Sequence, residues 1–170
     1  MSANFKQLLA EIKTFIFDMD GVLTDGAVTI MPDGEHVRSM NIKDGYALQL
    51  AVKKGYRVVI ISGAKSESAR KRFEQLGITD IHLGVPDKTS VFHDLMLQYL
   101  LNPATTLYMG DDMPDYGIMQ LCGVPTCPAD AASDIKTISI YVSDKPGGRG
   151  CVRDVIEQVL RLNDQWKPEF

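Results

Sequence analysis

Short apolar runs recur along the chain at 12–17, 57–61, 80–83, 105–109, 123–126 and 139–142, each followed by turn-forming residues. Runs of this kind, without polar alternation, are the pattern of strands buried on both faces, as in a parallel sheet. Between them, 44–54, 66–76, 88–101, 114–121 and 151–162 carry apolar residues at helical spacing. Gly55, Gly77 and Gly123 follow or close these stretches, where helix ends favour a left-handed residue. Strand and helix therefore alternate. The alternation predicts an α/β, Rossmann-like three-layer fold: right-handed crossovers, a mostly parallel central sheet, and helices on both faces. One stretch breaks it. Val28-Thr29-Ile30 and His36 to Met40 flank Pro32-Asp33-Gly34, which predicts a small β-hairpin over about 27–40.

Composition narrows the class. With 170 residues and 45% hydrophobic content, the chain suits one domain, 1–170, built on one sizeable core. A net charge of -4 with scattered Lys and Arg offers no basic stripe, so no nucleic-acid partner is expected. No apolar run approaches the roughly 18 residues of a membrane span, and the N-terminus lacks a signal-peptide core, so the expected setting is the cytoplasm, away from the membrane. Cys122, Cys127 and Cys151 fit neither a disulfide framework nor a common zinc pattern and read as reduced, buried small side chains. His36, His82 and His93 are isolated and receive no chemical role. The first few residues and the segment from Trp166 onward read as loose ends. Of the acidic residues, 16 are Asp and only 6 are Glu, a bias toward turns, caps and metal sites rather than helix faces.

In an open α/β sheet, ligands gather beyond the carboxyl ends of the strands, so the residues there matter most. They are Asp18 and Asp20 in Phe17-Asp18-Met19-Asp20-Gly21, Ser62 and Gly63 in Ile60-Ile61-Ser62-Gly63, Lys88 at the start of a helix, and Gly110-Asp111-Asp112-Met113-Pro114-Asp115. A spacing of two turns Asp18 and Asp20 to one side of an extended chain, and Gly21 lets the backbone turn sharply. Like charges converging in one small volume need a cation or a proton between them, and an all-oxygen environment that includes Asp111 points to Mg²⁺. A carboxylate can also attack phosphorus and hold it as an acyl phosphate, with Ser62, Lys88 and the ion neutralising the equatorial oxygens.

These four segments, in this order, resemble the motifs of haloacid dehalogenase-like (HAD) phosphatases. The resemblance implies Asp18 as nucleophile, Asp20 as general acid and base, and Ser62, Gly63 and Lys88 as phosphate ligands. It also implies Mg²⁺ held by Asp18, the Asp20 carbonyl and Asp111, with Asp112 and Asp115 completing or orienting the metal shell. Asp20 is replaced in family members that keep a long-lived aspartyl phosphate, so its presence here implies rapid hydrolysis.

The motifs are separated by 41, 25 and 22 residues, which leaves no room for a cap domain. Only the hairpin remains as a flap, and a lone subunit would leave its pocket open to water. The capless length resembles one family within the superfamily, the 3-deoxy-D-manno-octulosonate 8-phosphate phosphatases. So do Leu23-Thr24-Asp25-Gly26, Asn41-Ile42-Lys43-Asp44-Gly45 and the glycine-rich stretch 145–153 before the last helix. That resemblance implies a homotetramer acting on a small phosphorylated sugar acid in lipopolysaccharide biosynthesis, with Thr24, Lys43, Asp44, Lys65 and Arg149 as substrate-contacting residues. Many members carry Arg after the second-motif glycine, whereas Gly63 here is followed by Ala64 and Lys65. A nine-carbon keto-deoxy sugar acid 9-phosphate is therefore the alternative substrate.

Bland readings stand beside these. Asp44 reads equally as a helix N-cap, Ser62 as the cap of the helix near Ser66, Lys88 as a solvated lysine, and Arg149 as part of a flexible turn. The rival functions are a receiver-like signalling domain, a calcium-binding loop and a catalytically silent partner. The first lacks a phosphoacceptor at the third strand, and the second lacks the distal ligands of an EF-hand.

Overall fold

The computed structural model describes residues 4–168. Its main sheet has six strands, β1 (Thr14–Phe17), β4 (Arg57–Ser62), β5 (Asp80–Leu83), β6 (Thr106–Met109), β7 (Val124–Cys127) and β8 (Tyr141–Val142). They lie in the order β5-β4-β1-β6-β7-β8, and every neighbouring pair is parallel. The remaining strands, β2 (Thr29–Ile30) and β3 (His36–Val37), form the expected hairpin as a separate antiparallel pair.

The helices are α1 (Phe5–Ala10), α2 (Ile42–Lys53), α3 (Glu67–Gln75), α4 (Lys88–Tyr99), α5 (Tyr116–Leu121), α6 (Ser133–Ile138) and α7 (Cys151–Leu162). They cover the sheet on both faces. On one face Phe15, Phe17, Val58 and Ile60 pack with residues of α1, α2, α3 and α7; on the other Ile16, Val59, Ile61 and Tyr108 pack with α4, α5 and α6. Successive residues of β1 thus feed opposite cores, which explains why the strand reads as an uninterrupted apolar run.

β1 sits at the centre, with Phe17 level with Ile60 of β4 on one side and Met109 of β6 on the other. The connection that leaves β1 crosses to β4, and the later one to β6 lies on the opposite side. This is the reversal point at which a doubly wound sheet opens a crevice. Asp18 extends the ladder by donating its N–H to the Met109 carbonyl, 3.0 Å away.

Several local expectations change. Helices α1 and α6 were not read from the sequence, because each offers a single buried residue, Leu9 and Ile135, and so no periodic face. Gly55 and Gly77 adopt the left-handed conformation, but Gly123 does not, and Leu100 takes that role at the end of α4. A side chain on Gly123 would instead run into the backbone of Ala104. The cap of α2 is Asn41, whose side chain accepts the N–H groups of Lys43 and Asp44. The segment from Trp166 is not loose as far as it is described. The indole packs edge-on against Tyr46 and lies under the guanidinium of Arg153, and at the other end Asn4 caps α1; residues 1–3 and 169–170 fall outside the described residues. All three cysteines are free and buried. Among the described residues, no helix is long and apolar enough to cross a membrane.

Candidate active site

The carboxyl ends of β1, β4 and β6 and the start of α4 border one cleft of about 440 Å³, lined by Asp18, Asp20, Ser62, Lys88, Asp111 and Asp115 among others. Asp18 is nearly buried at 7% exposure, being the first residue past a fully buried strand. Its Oδ1 accepts the Met19 N–H at 2.7 Å and faces Lys88 Nζ at 2.9 Å. Gly21 turns the chain with φ of 85°, and any side chain there would overlap the Asp111 carboxylate. Glycine therefore does two things: it supplies the left-handed turn, and it lets Asp111 approach the strand end.

Asp115 organises the floor of the cleft. Its Oδ1 accepts Lys88 Nζ and the Tyr108 hydroxyl, both at 2.6 Å, and its Oδ2 accepts the N–H groups of Asp111 at 3.0 Å and Asp112 at 3.4 Å. Four donors on a carboxylate with 1% exposure hold the loop after β6 in place. Tyr108, wholly buried, is the supporting residue that sequence reasoning missed. In a strand of apolar residues it reads as core, and the partner of its hydroxyl is set only by the fold. Burial, then Asp115 and Asp18, push its phenol well above the usual range, so it remains a neutral donor.

The charges do not balance. Oxygen atoms of Asp18, Asp111 and Asp115 lie within 4.8 Å of one another, with Lys88 as the facing ammonium. Burial, then Asp115, raise the Asp18 carboxyl to about 7; burial, then Asp18 and Asp115, raise Asp111 to about 8. Burial works against the Lys88 ammonium, but Asp18 and Asp115 outweigh it and raise its pKa. Three hard-oxygen carboxylates grouped this closely, with the proton affinities of Asp18 and Asp111 raised, fit a divalent cation such as Mg²⁺, which would replace the protons. Asp112 lies outside the group: it is exposed and caps the turn Met113–Asp115 by accepting the Met113 N–H. The side chain of Asp20 is also outside it, held by Arg38 of the hairpin through two bonds of 2.7 and 3.0 Å. Arg38 too was missed, since an Arg next to a hairpin strand reads as a solvated charge.

Ser62 ends β4 with 2% exposure and lines the cleft with Gly63. Thr24, fully buried, donates to Asp20 Oδ1 at 3.1 Å. Lys43 and Arg149 do not enter this cleft; they line a neighbouring cavity of about 810 Å³ together with Lys145 and Arg153. Consecutive residues of the loop after β1 border the two spaces, Asp25 lining the larger and Gly26 the smaller. Lys65 is exposed and packs its stem against Gly84. Asp44 faces inward at 1% exposure, where burial raises its pKa and its Oδ1 accepts the Arg153 N–H at 2.8 Å. There it serves the first turn of α7 and is shut away from either space. The glycine-rich stretch is a brace: Gly148 donates to the Val22 carbonyl at 2.9 Å, and a side chain on Gly147 would collide with the Gly21 carbonyl.

A parallel sheet with a buried Asp at its switch point, a facing lysine and a second acidic loop defines a class. A Legionella pneumophila protein described as a HAD-superfamily hydrolase of subfamily III A superposes with a TM-score of 0.90 at 32% identity, covering 94% of this chain and 88% of that one. The chain has the HAD hydrolase fold. Relatives narrow this further. The 3-deoxy-D-manno-octulosonate 8-phosphate phosphatase KdsC of Escherichia coli K12 is 34% identical over 160 residues, which is 94% of this chain and 85% of the relative. The Moraxella catarrhalis enzyme of that name, in complex with magnesium ion, phosphate ion and KDO, superposes with a TM-score of 0.89 at 30% identity over 92% of this chain and 90% of that one. No family model matches the chain. On these relatives, it belongs to the 3-deoxy-D-manno-octulosonate 8-phosphate phosphatase (KdsC) family.

Proposed function

We propose that the whole chain acts as one phosphatase domain that hydrolyses 3-deoxy-D-manno-octulosonate 8-phosphate to the free sugar acid and phosphate. The observation that carries the reading is the buried Asp18 at the end of β1, facing Lys88 at 2.9 Å and grouped with Asp111 and Asp115. The substrate follows from the family, whose members named above are phosphatases of that sugar phosphate.

Both contacts to Asp18 fall on Oδ1, which leaves Oδ2 to attack phosphorus. The bond from phosphorus to the leaving oxygen breaks as the aspartyl phosphate forms, and Asp20 gives that oxygen a proton. Asp20 then takes a proton from water as the water attacks phosphorus and frees Asp18. Lys88, the Ser62 hydroxyl and the Gly63 N–H hold the equatorial oxygens, so that charge develops against fixed donors. Asp18, Asp111 and the Asp20 carbonyl would hold Mg²⁺, oriented through Asp112 and Asp115, and the ion would supply further neutralisation of the phosphoryl oxygens. Thr24, Lys65 and, across a subunit boundary, Lys43 and Arg149 face the sugar-acid end or support it; Asp44 contributes by fixing the α7 N-terminus beside Arg149.

The assembly is a homotetramer. Val28, Ile30, Met31 and Val37 put apolar surface on the exposed hairpin, and a neighbouring subunit packed there would close the open cleft. The setting is cytoplasmic, in lipopolysaccharide precursor synthesis. Steady-state turnover of the eight-carbon 8-phosphate and a nine-carbon 9-phosphate with Mg²⁺ tests the substrate. A higher kcat/KM for the eight-carbon compound is expected, and the reverse order would reassign it. Light scattering tests the assembly: a fully active monomer would rule the tetramer out.

A further inference from the structure

Every residue from 25 to 37 is exposed, yet the side chain of Arg38, where the hairpin returns to the body, is only 6% exposed. It points at Asp20. Arg38 Nε donates to Asp20 Oδ1 at 2.7 Å, Nη2 donates to Oδ2 at 3.0 Å, and Nη1 donates to the His36 carbonyl at 2.9 Å. Two parallel bonds fix the plane of the carboxylate as well as its distance, and the third anchors the guanidinium to the hairpin backbone. From the other side the Thr24 hydroxyl donates to Asp20 Oδ1 at 3.1 Å, while accepting the N–H groups of Gly21 at 3.3 Å and Gly26 at 3.2 Å. Oδ1 therefore receives two donors and Oδ2 one. A carboxylate oxygen offers two acceptor positions, so Oδ2 retains one.

We propose that Arg38 is a positioning residue for phosphoryl transfer: with Thr24 it orients Asp20 so that Oδ2 carries the proton to the leaving group and takes one from water. The inference rests on the proposed function, in which Asp20 is the acid and base. Oδ2–H gives its proton to the leaving oxygen as that oxygen parts from phosphorus and Asp18 bonds to it. Oδ2 then receives a proton from the water whose oxygen bonds to phosphorus as Asp18 departs. Arg38 stays cationic and changes no covalent bond. Because it belongs to the hairpin segment, the same fork ties the flap to the acid and base, and a lifted flap leaves Asp20 unoriented.

The test compares Arg38→Ala, Arg38→Lys and Asp20→Asn on a sugar phosphate and on p-nitrophenyl phosphate, whose leaving group needs little protonation. Arg38→Ala is expected to lower kcat/KM, which reports the step that expels the leaving group, by about 10- to 100-fold on the sugar phosphate and by less than about threefold on the aryl ester. Arg38→Lys and added guanidinium ion should restore part of the loss, and Arg38→Ala should cost little further in an Asp20→Asn background. Equal losses of kcat/KM on both substrates, or losses of kcat/KM that multiply with Asp20→Asn, would overturn the inference. Guanidinium rescue and thermal melting separate lost orientation from lost folding: an unrescued loss with wild-type melting also counts against it. If kcat/KM of Asp20→Asn is itself indifferent to the leaving group, the acid-base reading fails, and the role of Arg38 fails with it.

Discussion

The Tyr108 hydroxyl and Asp115 Oδ1 meet at 2.6 Å beneath the candidate active site, and this contact joins the middle of β6 to the loop that follows it. Tyr108→Phe removes one of four donors to a buried carboxylate. Stability should fall by about 1–2 kcal/mol, and kcat by several-fold through the loosened Asp111 loop, with the fold unchanged. Denaturant titration and steady-state kinetics check it; unchanged stability would mean that the other three donors suffice.

Metal and pH are linked. Asp18 and Asp111 have native pKa values of about 7 and about 8 against 3.8 unfolded, so the metal-free native state holds more protons than the unfolded state between those limits. Stability without metal should therefore be greatest in mild acid and fall as pH rises from 4 toward 8. Mg²⁺ competes with those protons, so its affinity and the rise in Tm it causes should both increase from pH 5.5 to 8. Calorimetric scans with and without Mg²⁺ measure this, and a rise in Tm independent of pH would contradict it.

Gly21→Ala probes the approach of Asp111. The substitution meets a φ of 85° and overlaps the Asp111 carboxylate. It should cost about 1–3 kcal/mol and weaken Mg²⁺ binding at least tenfold. Titration calorimetry with Mg²⁺ gives the decisive value, because wild-type affinity in Gly21→Ala would place Asp111 outside the ion's shell.

Asp44→Ala separates support from contact. Asp44 is shut from solvent and holds the Arg153 N–H, so its loss should lower stability by about 1–2 kcal/mol and leave KM within about twofold. A large rise in KM at wild-type stability would show that the carboxylate reaches substrate.

Much of this site was legible before the structure, for a physical reason. A sheet buried on both faces leaves apolar runs that end where water begins, so Asp18, Ser62 and Asp111 stand out as polar residues at strand ends. Lys88 follows because it opens the next helix. The carboxylate cluster was legible only in part: Asp115 was read as a metal-shell residue, but its role as acceptor for Tyr108 and Lys88 depends on distances across the fold. Asp44 and Asn41 show a second limit. Two cap-forming residues three apart both suit a helix start, and the choice fell to Asn41 because α7 arrives to take Asp44. Arg38 shows a third, since a hairpin in isolation gives no sign of which side chain folds back onto the site. The loop from Lys145 to Gly150, read as a substrate contact through Arg149, braces the backbone of residues 21–25 through its glycines and presents Lys145, Pro146 and Arg149 outward.

The central claim is that Asp18 carries the phosphoryl group. Acid quenching of the Mg²⁺-loaded enzyme during turnover of 3-deoxy-D-manno-octulosonate 8-phosphate, followed by mass spectrometry of the peptide containing Asp18, tests it directly. The account expects phosphate on Asp18 in the wild type, more of it in Asp20→Asn, and none in Asp18→Asn, whose kcat should fall by at least about 10³-fold. Unmodified Asp18 throughout turnover, or an Asp18→Asn variant that turns over at the wild-type rate, would contradict it.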